Sequence, residues 1–433
     1  MLLRTLPAMV SRALTAGDRD DEDLLRHAET NEDADHLRGL LPSLGLVAFV
    51  GDGAVLPRAS GVDDRPLEGP SVVPFRSPDS LRVDVALPNA GRVAGMGIPV
   101  GVTLVAGGGF HGKSTLLRAL QAGVVNHVPG DGRERVVTVG DAVKVRAEDG
   151  RSVAGVDVSS FFGDIPGAQD RLALTTPNAS GSTSQAASMA EALEAGSRTF
   201  LMDEDTCATN LMIRDRRMQE LVPREGEPIT PLVDRVREMH RSLGVSTVLV
   251  LGGSGDYLDV ADTVLVFRDY EPSDGTVRAT VVAAANPTGR RPETPGPFRL
   301  PRARRPVPGS LNPAKGHRPS WVRVPDGRTL LFGSQTVDLG ALEQVWGQGQ
   351  IRAMGAALVL AAGDIDGSAT VGDLLDAAER RVSHGGLDAL DPHHPGDLTA
   401  FRRYEFASVL NRCRSLSVLS DRTSAAPMEG RHP

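Results

Sequence analysis

Short apolar runs and longer helical patterns alternate through the middle of the chain. Between about residues 97 and 285, residues 102–106, 199–202, 247–251 and 263–267 are Val/Leu-rich stretches bounded by Gly or acidic residues. That is how strands buried on both faces read. Helical patterns follow the first run, TLLRALQA after residue 114, and precede the second, AASMAEALEAG before residue 197. Strand, turn, helix, strand in this order predicts an α/β domain over residues 96–285 with a mostly parallel sheet.

The flanks read differently. Residues 1–95 begin with helical patterns, and an apolar run over 44–50 closes at Gly51-Asp52-Gly53, which predicts a strand and turn. Strands and ordered loops are expected from there to residue 89. Residues 286–319 are proline-rich and lack periodicity, the composition of an extended linker. Residues 321–331 suggest a hairpin turning at Asp326-Gly327. Helices are expected over 339–345, 351–362, 371–381 and 398–411, giving a small, mainly helical C-terminal domain over 320–418 and a tail over 419–433. No internal repeat is visible.

Composition narrows the chemistry. Aromatic residues are only 4% of the 433, so Val, Leu and Ala must build the cores. A net charge of −8 argues against a surface coated all over in nucleic acid. The 286–319 segment departs from that balance, with Arg290, Arg291, Arg299, Arg302, Arg304, Arg305, Lys315 and Arg318 against Glu293 alone. This basic 290–318 segment is either a nucleic-acid contact or a solvated spacer. Two cysteines, Cys207 and Cys413, make neither a disulfide framework nor a zinc site by themselves, and they fit a reducing cytoplasm. No apolar run approaches the 18 or so residues of a membrane span, so no membrane partner is expected. The opening MLLRTLPAMVSRAL reads as helix rather than as a targeting peptide, because an acidic stretch follows at once.

The strongest local signal is Gly107-Gly108-Gly109-Phe110-His111-Gly112-Lys113-Ser114, then Thr115, directly between a strand and a helix. Glycines there let successive backbone N–H groups turn toward phosphate oxygens, and the helix N-terminus adds positive potential. Lys113 would bridge the β- and γ-phosphates of ATP, and Ser114 would ligate Mg²⁺. Residues 199–202 run into Asp203-Glu204. In a phosphate-loop protein the first acid serves the metal and the second acts as base toward water. The polar stretch His127 to Glu134 is either a surface turn or a neighbour of the nucleotide, with Arg133 near phosphate.

The segment Ser180-Gly181-Ser182-Thr183-Ser184-Gln185 opens a helical pattern ahead of the acid pair. Here the chain resembles ABC ATPases, whose signature sequence opens a helix at this distance from the Asp-Glu pair. The resemblance implies that Ser180, Gly181 and Ser182 reach the γ-phosphate held by a second copy, hence an ATP-dependent homodimer. The bland alternative is a Ser/Thr cluster that only caps its helix. Departures from the ABC pattern are equally specific. Asp205 stands where proline is usual and Asn210 lacks the usual neighbours, and both are interface candidates. Ser254 or Asp256 takes the place of the switch histidine, implying slow turnover, and Gln169 is the candidate for the glutamine loop.

From about residue 40 to 418 the phrases GLVAFVGDGAVLPR, GGGFHGKSTLLRAL, NHVPGDGRE, SGSTSQAASMAEALEAG, MDEDTCATNLMIRD, GGSGDYLDVAD and NRCRSL resemble the poorly characterised family of ABC-class ATPases. The resemblance implies a P-loop NTPase fold with an ABC-type nucleotide-binding domain, helices on both faces of its sheet, and small flanking N- and C-terminal domains. It also implies a chain shortened at its N-terminus, and the lack of a long apolar run speaks against fusion to a transport channel. MgATP hydrolysis is expected, coupled to movement of a macromolecule such as RNA or DNA. A nucleotide-gated binding module with little turnover and a small-molecule kinase are the competing readings.

Overall fold

The computed structural model describes residues 4–14, 21–165, 170–293 and 296–419. Gln169 and residues 420–433 of the expected tail lie outside them. In chain order the first elements are α1 (Thr5–Leu14), α2 (Asp21–Leu40), β1 (Leu46–Gly51), β2 (Arg82–Leu87), β3 (Gly91–Pro99), β4 (Val102–Gly107) and α3 (Lys113–Ala122). There follow β5 (Val136–Thr138), β6 (Ala142–Val145), β7 (Val153–Val156), β8 (Leu174–Thr176), α4 (Gly181–Glu194), β9 (Thr199–Asp203), α5 (Thr209–Met212), α6 (Arg216–Leu221) and α7 (Val236–Leu243). The last group is β10 (Ser246–Val250), β11 (Thr263–Arg268), β12 (Glu271–Asp274), α8 (Thr276–Ala285), β13 (Val322–Arg323), β14 (Thr329–Phe332), β15 (Gln335–Asp338), α9 (Gln348–Asp364), α10 (Val371–Gly385) and α11 (Arg403–Asn411).

These elements form two compact units. The first takes residues 1–142, 248–253 and 261–282. It holds an antiparallel sheet in the order β2-β3-β1-β5. Leu46 and Phe49 of β1, Val85 and Leu87 of β2 and Val93 of β3 share a buried cluster with Ala34, Leu37 and Leu41 from α2 and its end. The long polar helix α2 is held by that narrow apolar edge and by polar ties. Arg38 donates to the carbonyls of Thr138 and Gly123, and Asp33 accepts from the backbone of Asn89 and Ala90. The same unit holds β12-β11-β4 and the end of β10, part of a mixed, mostly parallel sheet. β11 runs parallel to β4, with Phe267 opposite Gly107, and turns back antiparallel into β12. Asp262 starts the pair by accepting from the Val102 N–H at 2.8 Å.

The second unit takes residues 143–247, 254–260 and 283–433. It contains β9 and β6 with the first residues of β10, the helix α4, and the C-terminal elements. β13 pairs with β14 as the expected hairpin, Val322 opposite Phe332. α9, α10 and α11 pack on this small sheet around Leu330, Phe332, Met354, Leu358, Leu375 and Phe406. Two sequence expectations change. Residues 339–345 form turns instead of a helix, because Asp338 accepts from the Gly340 N–H and the buried Gln344 amide caps the Lys144 N–H. α11 begins at Arg403 rather than near 398, where Glu405 accepts from the Arg402 N–H and opens the first turn.

Residues 286–319 carry no helix or strand among those described, yet part of the basic stretch is built into this unit. Arg290 holds both carboxylate oxygens of Asp234 at 3.1 Å, and Arg304 is buried. Arg304 donates to Glu194, to the Ala154 carbonyl at 2.9 Å and to Asn411 at 2.8 Å. The helix behind Gly181 is thereby tied to α11 through a residue of the expected linker. Arg412 adds a second tie, to Glu148 at 2.5 Å. Among the described residues, no helix is long and apolar enough to cross a membrane.

Candidate nucleotide site

The phosphate-binding motif sits in the first unit. β4 is buried through Val105 and delivers the chain into Gly107, whose φ of 142° lies in the region that favours glycine. A Cβ at Gly107 would also strike the carbonyl of Phe267. Phe110 at the tip adopts φ 64° and is 98% exposed. Gly112, with φ 98°, is the residue from which α3 springs, so the free amides of the first helical turn begin at Lys113. Leu116, Leu117 and Leu120 anchor that helix in the core. The Lys113 ammonium donates to the carbonyls of Gly107 and Gly108 at 2.8 and 2.7 Å, close over the loop it must serve.

His111 has a role the sequence did not reveal. Its Nδ1 accepts from the backbone N–H of Asp269 at 2.9 Å, tying the loop to the turn between β11 and β12. Arg268 pairs with Glu271, leaving Asp269 and Tyr270 as a two-residue hairpin turn with φ of 50° and 70°. Positive φ at both positions is the type I′ geometry, usually filled by Asn-Gly. This brings Tyr270 against Gly112. Neither Tyr270 nor Phe267 stood out in the sequence, because nothing in its spacing says that this hairpin returns to the loop.

The His127–Glu134 stretch is neither a free turn nor a phosphate ligand. Asp131 accepts from His127 and from Arg58, each at 2.7 Å. Arg133 is buried and spends its guanidinium on the Leu56 carbonyl. Burial, and then the charge of Arg58, push its pKa down to about 10. Burial would raise the Asp131 carboxyl, but the His127 hydrogen bond and the charges of His127 and Arg58 outweigh it and hold it below its ordinary value. The motif thus braces residues 56–58.

The acid pair and the signature stretch belong to the second unit. β9 is buried over its whole length and ends at Asp203, whose carboxylate accepts from the Asp205 N–H at 3.3 Å. Glu204 opens a single 3₁₀ turn, and the Ser254 hydroxyl donates to its carboxylate at 2.5 Å. Ser254 and Glu204 are therefore brought together. Lys144 reaches Thr206 in the same turn at 3.4 Å. Its burial lowers its pKa, partly offset by Glu343, Cys207 and Asp203.

Ser180 occupies the N-cap position of α4 without making a capping bond. Its hydroxyl faces Thr183 at 3.0 Å and Ser182 at 3.4 Å. Buried Gln185 accepts from the Ala208 N–H at 2.7 Å and so fastens this helix to the loop behind the acid pair. Asn210 reaches Ser182 at 3.5 Å, while Asp205 is exposed. Burial raises the Cys207 thiol to about 11, which suits a packed rather than a reactive thiol. Tyr257, fully buried, donates to the Met212 carbonyl at 2.7 Å, giving the GGSGDYLDVAD phrase a structural anchor.

Ser114 offers a hydroxyl and Asp203 a carboxylate, the oxygen donors that a hard divalent cation prefers. Among the described residues there is no cluster of three or more His, Cys, Asp or Glu that could hold a metal without a nucleotide.

Comparison with known proteins agrees with this architecture. The profile of the ABC ATPase family, described as its P-loop domain, matches residues 20–304. A second profile, described as the MRB1590 C-terminal domain, matches residues 322–419. An uncharacterised protein of Methanocaldococcus jannaschii is 28% identical over 244 residues. That alignment takes in 54% of this chain and 53% of the other protein, so the chain matches about half the length of that relative. The P-loop profile spans well over half of the sequence, the fold has the mixed, mostly parallel sheet it requires, and the chain belongs to the ABC ATPase family.

Proposed function

We propose that the chain binds MgATP through residues 107–115 and hydrolyses it. The observation that carries this reading is the loop itself: left-handed glycines at 107 and 112, the first turn of α3, and an ammonium group 2.7–2.8 Å from the loop carbonyls. Backbone amides there would take the phosphate oxygens, and Lys113 would neutralise the β- and γ-phosphates. Ser114 and Asp203 would hold Mg²⁺, which when bound withdraws charge from the phosphoryl oxygens. Glu204 would accept the proton of the attacking water, with Ser254 fixing the carboxylate that does so.

The test is calorimetry with MgATP, paired with a phosphate-release assay. The native chain should bind and turn over; Lys113→Ala should lose binding by at least 100-fold, and Glu204→Gln should bind yet release phosphate at least 100-fold more slowly. Equal affinity of the native and Lys113→Ala proteins would remove the reading.

Ser180, Gly181 and Ser182 would meet the γ-phosphate of a second copy, making closure of a homodimer the mechanical step. A macromolecular load, RNA or DNA, would engage the exposed cations of the 290–318 segment, Arg291, Arg299, Arg302, Arg305, Lys315 and Arg318. The second reading, a nucleotide-gated module of low turnover, is favoured by one feature: a neutral hydroxyl beside Glu204 stabilises developing charge less than an imidazolium would.

A further inference from the structure

Arg151, Arg214, Arg235 and Arg304 are buried in the second unit, and each holds a carboxylate at 2.6–2.9 Å. A cation withdrawn from water needs such a partner. Lys144 breaks the pattern. It stands in β6, Ala-Val-Lys-Val, the strand beside β9, and burial is the largest influence on its ammonium. Glu343 is the acid whose charge weighs most on it, yet that carboxylate is paired with Arg146 at 3.4 Å. Among the described residues no carboxylate forms an ion pair with Lys144. Of its three donors, one reaches a neutral acceptor, the Thr206 hydroxyl, at the long distance of 3.4 Å.

The place of this unpaired charge is informative. Thr206 closes the turn that Glu204 opens, and its hydroxyl donates to the Asp203 carbonyl at 3.1 Å, so the ammonium lies against the backbone of the acid pair. The Asp203 charge acts on it without pairing. Its strand is pinned as well, since the Lys144 N–H donates to buried Gln344 at 2.9 Å. On the other side of the pair, Ser254 contributes a hydroxyl and no charge. A held, partly desolvated ammonium beside two carboxylates is a charge that waits for an anion.

Resting on the ATP reading above, we infer that Lys144 is a catalytic residue of the acid pair's site: its ammonium donates to an oxygen of the phosphoryl group in transfer and supplies the positive charge that Ser254 lacks. In that step the water oxygen bonds to the γ-phosphorus and its proton passes to Glu204. The bond from that phosphorus to the β,γ-bridging oxygen breaks, and its electron pair leaves on ADP. Lys144 remains an ammonium throughout. A donor already in position and partly stripped of water stabilises the transition state more than one that must first be desolvated. The missing ion pair in the nucleotide-free chain is the counterpart of that readiness.

Phosphate release and calorimetry on the full chain test the assignment. Lys144→Met keeps the apolar stem and removes the charge. It should slow release at saturating MgATP about 100-fold, hold MgATP affinity within about threefold, and weaken orthovanadate binding in the presence of MgADP about 30-fold, vanadate being the stand-in for five-coordinate phosphorus. Its melting temperature should hold or rise, because an unpaired cation has been replaced by an apolar group. Lys144→Gln keeps a donor without the charge and should be slower than the native chain by about tenfold or more. A native rate in either variant, or a loss of MgATP affinity as large as the loss of rate, would overturn the inference while the Lys113→Ala and Glu204→Gln results stand. A native chain that releases no phosphate overturns the hydrolysis reading and this inference together.

Discussion

Ser254 donates to Glu204 across 2.5 Å, so the carboxylate expected to face water is held from one side by a hydroxyl. Such a contact fixes a base without adding charge. Ser254→Ala should therefore slow phosphate release about tenfold, the worth of one hydrogen bond of about 1.4 kcal/mol, and leave MgATP affinity within twofold. A matched loss of affinity and rate in calorimetry and turnover assays would show instead that Ser254 supports the fold. Residues of this kind differ in how far the sequence exposes them. Lys113, Ser114, Asp203 and Glu204 could be named from it because their types recur at fixed places around a strand and a helix. His111, Tyr270 and Lys144 could not, because their partners Asp269, Gly112 and Thr206 are set by how hairpins and strand ends return, which local spacing does not encode.

The strands β4, β9, β10 and β11 were legible as short Val/Leu runs because both their faces are buried. The turns of 339–345 were not. An apolar pattern that suits a helix loses there to one local hydrogen bond, from Gly340 to Asp338, and one tertiary one, from Lys144 to Gln344. The stretch 127–134 differs in the opposite way, since its charges suited a surface turn or a neighbour of the nucleotide and instead grip residues 56–58. Its Asp131 carboxyl is held below the ordinary 3.8, with Arg58 and His127 facing it and Asp64 3.4 Å from Arg58. A lowered carboxyl contributes stability that is complete above 3.8 and fades as pH falls through the lowered value. Asp131→Asn should thus cost about 1–2 kcal/mol at pH 7 in urea unfolding, and the gap should narrow below pH 4. A gap that stays constant down to pH 3 would mean that the charge of Asp131 contributes nothing.

Assembly is where the sequence is least informative. Ser180 sits at the N-terminus of α4 with its hydroxyl on Thr183 and Ser182 rather than on the helix backbone, so a phosphate brought by another copy would meet the uncapped first turn. Sedimentation of Glu204→Gln should accordingly show monomer without nucleotide and dimer with MgATP, and Ser180→Arg should abolish the shift by filling that helix end. A monomer under both conditions would refute the shared-site arrangement. The basic segment also contributes less free charge than its composition suggests, since Arg290 and Arg304 are spent internally. Any nucleic-acid binding should follow the surface cations alone, with a correspondingly shallower salt dependence.

Arg304 has a practical implication for dissecting the chain. It satisfies Glu194 on the signature helix, a carbonyl at Ala154 and the amide oxygen of Asn411 all at once. Cutting in the proline-rich stretch ahead of it, although composition recommends that spot, would strand a buried acid on one fragment and a guanidinium on the other. Fragments made there would report the penalty of unpaired charge rather than the behaviour of separate modules.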